Sequence, residues 1–291
     1  DYVDQNITVR GNLFGKIPSR LTIGNTYQEG LRLTNSFNRN SVSVAFNPSF
    51  LQDHLKVRVN ANYANERNRF ADGVEGAAIS FDPTRPVYDA NSLFGGFFQY
   101  TNADGTRTNS QAPKNPVAQL LQTYDRGIND RIFGNVELDY KLHFLPELRL
   151  VVNGGFDEAQ GTRLKDVGTD AASAATNDDI PYGNDEYSNN TRRNKLLDAY
   201  FVYNRSFSAI NFELTGGYSY QKFQNEGSYT GNVLNPQYDA LINSDVYKDT
   251  DNILIGLFAR TNLSFADKYL LTLSYRRDGS SRFSEDNRWG N

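Results

Sequence analysis

Hydrophobic and polar residues alternate one by one along much of this chain. From Ile210 the residues Ile210, Phe212, Leu214, Gly216, Tyr218 and Tyr220 share one parity, and Asn211, Glu213, Thr215, Ser219 and Gln221 share the other. A period of two puts each set on one face of a β-strand, whereas a helix would scatter both. Val136, Leu138, Tyr140, Leu142 and Phe144, set against Glu137, Asp139, Lys141 and His143, repeat the pattern. So do Tyr269, Leu271, Leu273 and Tyr275, set against Lys268, Thr272, Ser274 and Arg276. Weaker alternation predicts strands over Ile7–Phe14, Arg20–Tyr27, Val42–Phe50, Leu55–Tyr63, Leu148–Phe156, Leu196–Phe207 and Ile253–Phe265. The expectation is an all-β chain of about ten strands, most of roughly the 9–11 residues that cross a bilayer at a tilt. Pro48 weakens the strand that holds it, because proline cannot donate to a ladder.

The connections alternate as well. Gly15 to Ser19, Leu51 to His54, Leu145 to Glu147, Ser208 to Ala209 and Ala266 to Asp267 are short. Gln28 to Ser41 is of medium length, and residues 65–128, 160–195 and 224–252 are long, with 279–291 following the last strand. Successive connections of an up-and-down antiparallel barrel lie at opposite ends, and outer-membrane barrels keep tight turns in the periplasm and long loops outside. Each short turn sits beside a phenylalanine, namely Phe14, Phe50, Phe144, Phe207 or Phe265, which predicts an aromatic girdle at one membrane interface. The predicted path starts and ends on the long-loop side. An interior stretch of a larger transmembrane antiparallel up-and-down β-barrel is therefore expected, with further strands on either side of it.

Composition narrows the chemistry. Hydrophobic residues make up 38% of the 291, enough for a sizeable apolar surface, and the aromatics are 19 Phe and 18 Tyr with one Trp, which favours strands. No run of about eighteen apolar residues exists, so no transmembrane helix is predicted. A mean hydropathy of −0.62 is compatible with a barrel, half of whose strand residues face a wet lumen. The net charge of −4 comes without a basic block, which argues against nucleic acid as a partner. With no cysteine, neither a disulfide nor a thiolate metal site can form.

His54 and His143 fall beside different short turns, with no spaced ligand set for zinc. Asp178-Asp179 and Asp185-Glu186 have the composition of calcium ligands without EF-hand spacing, and read as a solvated loop face. There is no phosphate-binding glycine loop, nucleophile elbow or acid–base dyad, so no enzyme activity, catalytic residue, metal site or cofactor is predicted. Glu137, Asp139, Lys141, Glu213 and Arg276 fall on the lumenal parity, where they either line a wet channel or pair with a plug. Within residues 65–128, the stretch Phe94-Gly95-Gly96-Phe97-Phe98-Gln99-Tyr100 offers aromatics that either meet sugar rings or a partner protein, or pack the loop on itself. No substrate-binding residue can be assigned among them.

The stretch Tyr269-Leu270-Leu271-Thr272-Leu273-Ser274-Tyr275-Arg276-Arg277-Asp278-Gly279-Ser280-Ser281-Arg282-Phe283, followed by Asn287-Arg288-Trp289-Gly290, resembles a signature of the SusC/RagA branch of TonB-dependent receptors. Asp82-Pro83-Thr84-Arg85-Pro86-Val87-Tyr88, Asn115-Pro116-Val117-Ala118 and Phe133-Gly134-Asn135-Val136-Glu137-Leu138-Asp139-Tyr140 are similar to further family elements. The resemblance runs from about Asp82 to the end, and the first eighty residues match mainly as strand pattern. It implies that residues 1–291 are part of one receptor barrel of about 22 strands whose lumen is closed by an N-terminal plug. It further implies an integral outer-membrane protein energised through TonB, partnered by a SusD-like surface lipoprotein, and importing oligosaccharides or peptides. Neither the plug nor the TonB-contacting segment is found in these residues. The alternative is a non-transporting barrel that serves as a scaffold in a larger outer-membrane assembly. The signature residues themselves, Arg277 and Trp289 included, belong to a strand and the loop after it and read as structural.

Overall fold

A computed structural model describes residues 1–71, 73–175, 180–233, 241–266 and 268–290. Its strands are β1 (Tyr2–Leu13), β2 (Ile17–Glu29), β3 (Ser36–Phe46), β4 (Ser49–Phe50), β5 (Leu55–Phe70), β6 (Thr123–Lys141), β7 (Leu148–Val167), β8 (Asn184–Phe207), β9 (Ile210–Val233), β10 (Leu241–Lys248), β11 (Asn252–Phe265), β12 (Tyr269–Ser280) and β13 (Trp289–Gly290). Two short helices, α1 (Glu75–Ser80) and α2 (Pro116–Leu121), lie between β5 and β6. All strands belong to one antiparallel sheet with the order β1-β2-β3-β5-β6-β7-β8-β9-β11-β12-β13, while β4 pairs with β5 and β10 with β9. Ten long strands follow one another as neighbours, as the alternation predicts. Pro48 acts as expected: β3 stops at Phe46, and the Pro48 carbonyl accepts from the Val57 N–H at 2.9 Å before β4 resumes.

Register converts the alternation into two faces. Val57 opposes Leu138, Leu138 opposes Val152, Val152 opposes Ala199, Ala199 opposes Tyr218, and Tyr218 opposes Leu257, an apolar row across six strands. One residue along, Arg58, Glu137, Asn153, Asp198, Ser219 and Gly256 form the corresponding row of the other face. A single sheet offers the apolar rows nothing to pack on, so Ile7, Val9, Ile23, Val136 and Leu273 are exposed. Large exposed apolar surface of this extent marks contact with a membrane or a partner.

The strands extend well past the predicted limits on the long-loop side. β5 runs to Phe70, β7 to Val167, and β8 begins at Asn184, so the connections between these strands shrink to residues 71–122 and 168–183. Much of 224–252 is a hairpin of β9 and β10. The physical reason lies in sequences such as Asn184–Arg193: beyond the apolar band both faces meet water, so period-two alternation disappears while the ladder continues. Asp178-Asp179 and Asp267 lie outside the described residues.

All five turn phenylalanines are exposed at the short-turn end, and Phe265 stacks with Tyr269 at a 6.3 Å centroid separation. These turns hold non-glycine residues at positive φ, including Phe14 (51°), Ser208 (47°) and Ala266 (51°). Ser208→Gly is expected to stabilise the fold by about 1 kcal/mol through relief of that strain, read as a higher temperature for loss of the folded band in heat-modifiability gels. In the same assay Val136→Arg, in the apolar band, is expected to cost about 2–4 kcal/mol, and Asn62→Arg on the polar face much less.

Candidate functional site

Three features stand out from the plain ladder: a folded long loop between β5 and β6, a recess in the polar face, and a histidine pair at the short-turn rim. The long loop that joins β5 to β6 has its own core. Phe94 is 2% exposed and Asn115 1%, more enclosed than nearly every residue of the sheet. Asn115 precedes Pro116 at the start of α2, and its Oδ1 accepts from the backbone N–H groups of Val117 (3.0 Å) and Ala118 (3.2 Å), as an N-cap side chain does. Its Nδ2 donates to the carbonyls of Val87 (2.8 Å) and Phe98 (3.0 Å), and its own N–H reaches Gln99 Oε1 at 3.1 Å. One side chain thus ties together the segment 82–88, the aromatic segment 94–100 and the 115–118 element.

Asp82 closes the turn before this hub by accepting from the Thr84 hydroxyl (2.7 Å) and N–H (2.9 Å). The Thr84 hydroxyl chiefly, with its N–H, holds the Asp82 carboxyl below the usual carboxylate range. The turn therefore keeps both bonds at neutral pH and loses them as pH falls through that lowered value. Phe81, Phe98 and Tyr100 pack on one another with centroids 5.3–6.1 Å apart. The loop aromatics therefore divide: that trio and Phe94 pack the loop on itself, whereas Tyr88 stays exposed beside Phe97, along with Ile79 and Leu93. At the base of the loop, Asp125 of β6, 1% exposed, takes a two-pronged bond from Arg163 of β7 at 2.8 and 2.5 Å, which ties those two strands together.

On the polar face, an open recess of about 410 Å³ lies among Asn62, Asn135, Asn153, Asn194 and Gln221, with Phe133 and Phe223 as apolar walls. Its amides are laddered: Asn60 Nδ2 donates to Asn135 Oδ1 at 3.1 Å, and Asn135 Nδ2 to Asn153 Oδ1 at 2.9 Å. Arg131 grips Asp157 through two bonds of 2.8 and 2.9 Å, so the charges here are closed on each other. Of the five residues singled out from sequence on the polar parity, four behave alike, and Lys141 forms no ion pair among the described residues. Glu137 pairs with Arg58, Asp139 with Arg149 at 3.4 Å, Glu213 accepts from Asn262 at 2.8 Å, and Arg276 binds Asp278 at 2.8 Å. Their partners are in this same sheet.

His54 and His143 are brought face to face, ring centroids 3.9 Å apart with planes 8° from parallel. His54 Nδ1 contacts the Lys141 carbonyl at 2.8 Å and Tyr140 Oη contacts His143 Nδ1 at 2.9 Å. Sequence reading treats the two as unrelated because the loop between β5 and β6 hides that those strands are neighbours. Among the described residues no set of three or more His, Cys, Asp or Glu converges as a metal site. The stretch after β12 is held by backbone structure: Gly279 lies under the Trp289 ring, Arg277 stacks over that ring at 5.6 Å, and the Ser281 hydroxyl accepts from the Ile253 N–H at 2.8 Å.

No family model matches the chain. It is 35% identical over 309 aligned positions to the TonB-dependent receptor SusC of Bacteroides thetaiotaomicron, covering 99% of this chain and 30% of that protein. It is 34% identical over 202 positions to the TonB-dependent receptor P3 of Formosa agariphila, covering 65% of this chain and 19% of the relative. The chain thus spans less than a third of these relatives' length. The solved RagAB peptide transporter superposes with a TM-score of 0.76 at 16% identity, over 99% of this chain and 33% of that one. The siderophore receptor PiuA of Acinetobacter baumannii gives 0.59 at 10% identity, over 96% and 40%. These structural likenesses speak to the fold alone.

Asn115→Ala is expected to destabilise the loop by about 2–4 kcal/mol through loss of the cap and two buried bonds. Hydrogen exchange should show faster exchange at Val117 and Ala118 with the amides of β7 and β8 unchanged.

Proposed function

From a chain whose sequence is of the SusC/RagA type of TonB-dependent receptor along nearly its whole length, we propose a segment of outer-membrane barrel wall in an importer of oligosaccharides or peptides. The observation that carries this reading is the sheet itself. Ten long neighbouring strands show one face as a continuous apolar row and the other as laddered amides and closed ion pairs. In this reading the apolar face meets lipid, the short turns with their phenylalanines lie in the periplasm, and residues 71–122 stand outside the cell. Substrate passes along the polar face, where neutral amides and self-paired charges offer weak, repeated hydrogen bonding without an electrostatic trap. Energy comes through TonB acting on a plug in another part of the protein.

A SusD-like lipoprotein is the proposed partner over the outer loops, where exposed Tyr88, Ile79 and Leu93 leave apolar surface for it. The RagAB structure, described as a peptide transporter, supports peptides beside the oligosaccharides as cargo. No bond-making step is assigned to these residues.

Orientation can be tested in intact cells carrying the full-length receptor, since this chain contributes no thiol of its own. Asp104→Cys should react with a membrane-impermeant maleimide, and Ala209→Cys should react only after the outer membrane is opened. The opposite pattern would invert the assignment. For transport, cells with the receptor and a SusD-like lipoprotein should accumulate labelled oligosaccharide or peptide only when TonB is present. Accumulation that is indifferent to both receptor and TonB would favour the scaffold reading.

A further inference from the structure

Above the apolar band, two arginines meet where like charges repel. Arg69 on β5 and Arg126 on β6 are direct cross-strand partners, a placement that is destabilising unless something offsets it. Both are on the parity of Val57, Val59, Tyr63, Val136, Ile132 and Ile128, and so on the face proposed to meet lipid. Both guanidinium groups also sit over one ring, Tyr124, at 3.9 Å for Arg69 and 5.4 Å for Arg126. The ring holds the two cations together.

Carboxylates do not neutralise them. Arg69 donates through Nη2 to the Thr123 carbonyl at 2.8 Å, and its Nη1 is enclosed without a hydrogen-bond partner. Among the described residues neither arginine forms an ion pair. Of the acids nearby, Asp130 accepts from Tyr63 (2.5 Å) and Asn65 (2.9 Å), Asp125 is bound by Arg163 on the opposite face, and Asp166, opposite Tyr124 on β7, faces Asp185 of β8 in register. Arg67, two residues before Arg69 on the same face, is exposed and adds a third positive charge.

We infer that Arg69, Arg126 and Arg67 bind the phosphate headgroup of an outer-leaflet glycolipid whose acyl chains lie along Ile128, Ile132 and Val136. A phosphate between the two guanidinium groups accepts from both and removes their repulsion, with charge-assisted bonds roughly twice as strong as neutral ones. The commitment to a lipid comes from continuity. The same face that carries the arginines carries, one ladder step after another toward the short turns, the apolar residues an alkyl chain needs. This inference rests on the proposed lipid-facing assignment and adds a ligand to it.

The test uses the detergent-purified full-length receptor and native mass spectrometry, with diphosphoryl lipid A and the same lipid lacking phosphates as probes. The receptor should retain the phosphorylated lipid about tenfold better, equivalent to about 1.4 kcal/mol. The Arg69→Gln/Arg126→Gln variant should lose that preference, and Arg69→Lys/Arg126→Lys, which preserves charge, should keep most of it. Equal retention of both lipids by the unaltered receptor would overturn the inference, as would an undiminished preference in the Gln variant. Loss of bound lipid to millimolar inorganic phosphate would identify a free-anion site instead. If neither lipid is retained at all, the lipid-facing assignment itself fails.

Discussion

The constraint on which everything else here depends is that backbone N–H and C=O groups within an apolar solvent have no water to bond. A strand passing through that solvent must give each of them to a neighbouring strand. The unbroken registers meet this condition: β5 pairs with β6 from Leu55 to Phe70 without a skipped residue, and β7 with β8 from Leu148 to Val167. Irregularity is confined to the ends. The Pro48 interruption, the left-handed residues Phe14, Ser208 and Ala266, and the two helices between β5 and β6 all lie beyond the apolar rows.

Once the ladder is fixed, side-chain parity decides what each face can do. Apolar residues on one parity leave a single-layer sheet with little enclosed core of its own, so the surrounding solvent takes the part that a second layer takes in a sandwich. The other parity is polar, and Glu137, Asp139, Asp157 and Arg276 on it each have a partner within the sheet. Self-closed charges let a wet wall remain intact without contact from another segment. The densest packing is instead in the long loop between β5 and β6, where Asn115 bonds to three separate segments; at its base Asp125 of β6 is gripped by Arg163 of β7.

The ten strands, their order and their two faces were legible in the sequence because burial on one side only leaves a period of two. The strand ends on the long-loop side were not, because residues such as Asn189, Asn190, Thr191 and Arg192 meet water on both faces and carry no period. The turn phenylalanines were readable from position alone. The His54–His143 stack was not, since 88 intervening residues separate partners that only the pairing of β5 with β6 makes adjacent. Asn115 lay between these cases. By sequence it belongs only to a family-like element, with no helix expected there; Asn-Pro before an apolar run is nonetheless a helix-start signal, while nothing local shows that the same side chain also bonds to Val87 and Phe98. The opposed arginines, likewise, became visible only through register.

The central claim is that adjacent residues of one strand see lipid and water in turn. The most direct measurement places tryptophan at Val152 or at Asn153 in the full-length receptor, reconstituted in lipids brominated in mid-chain. Fluorescence of Val152→Trp should be strongly quenched and that of Asn153→Trp nearly unaffected, each read as the difference from the unaltered receptor, whose own tryptophans include Trp289. Equal quenching at both positions, or at neither, would contradict the assignment of this sheet to a membrane wall.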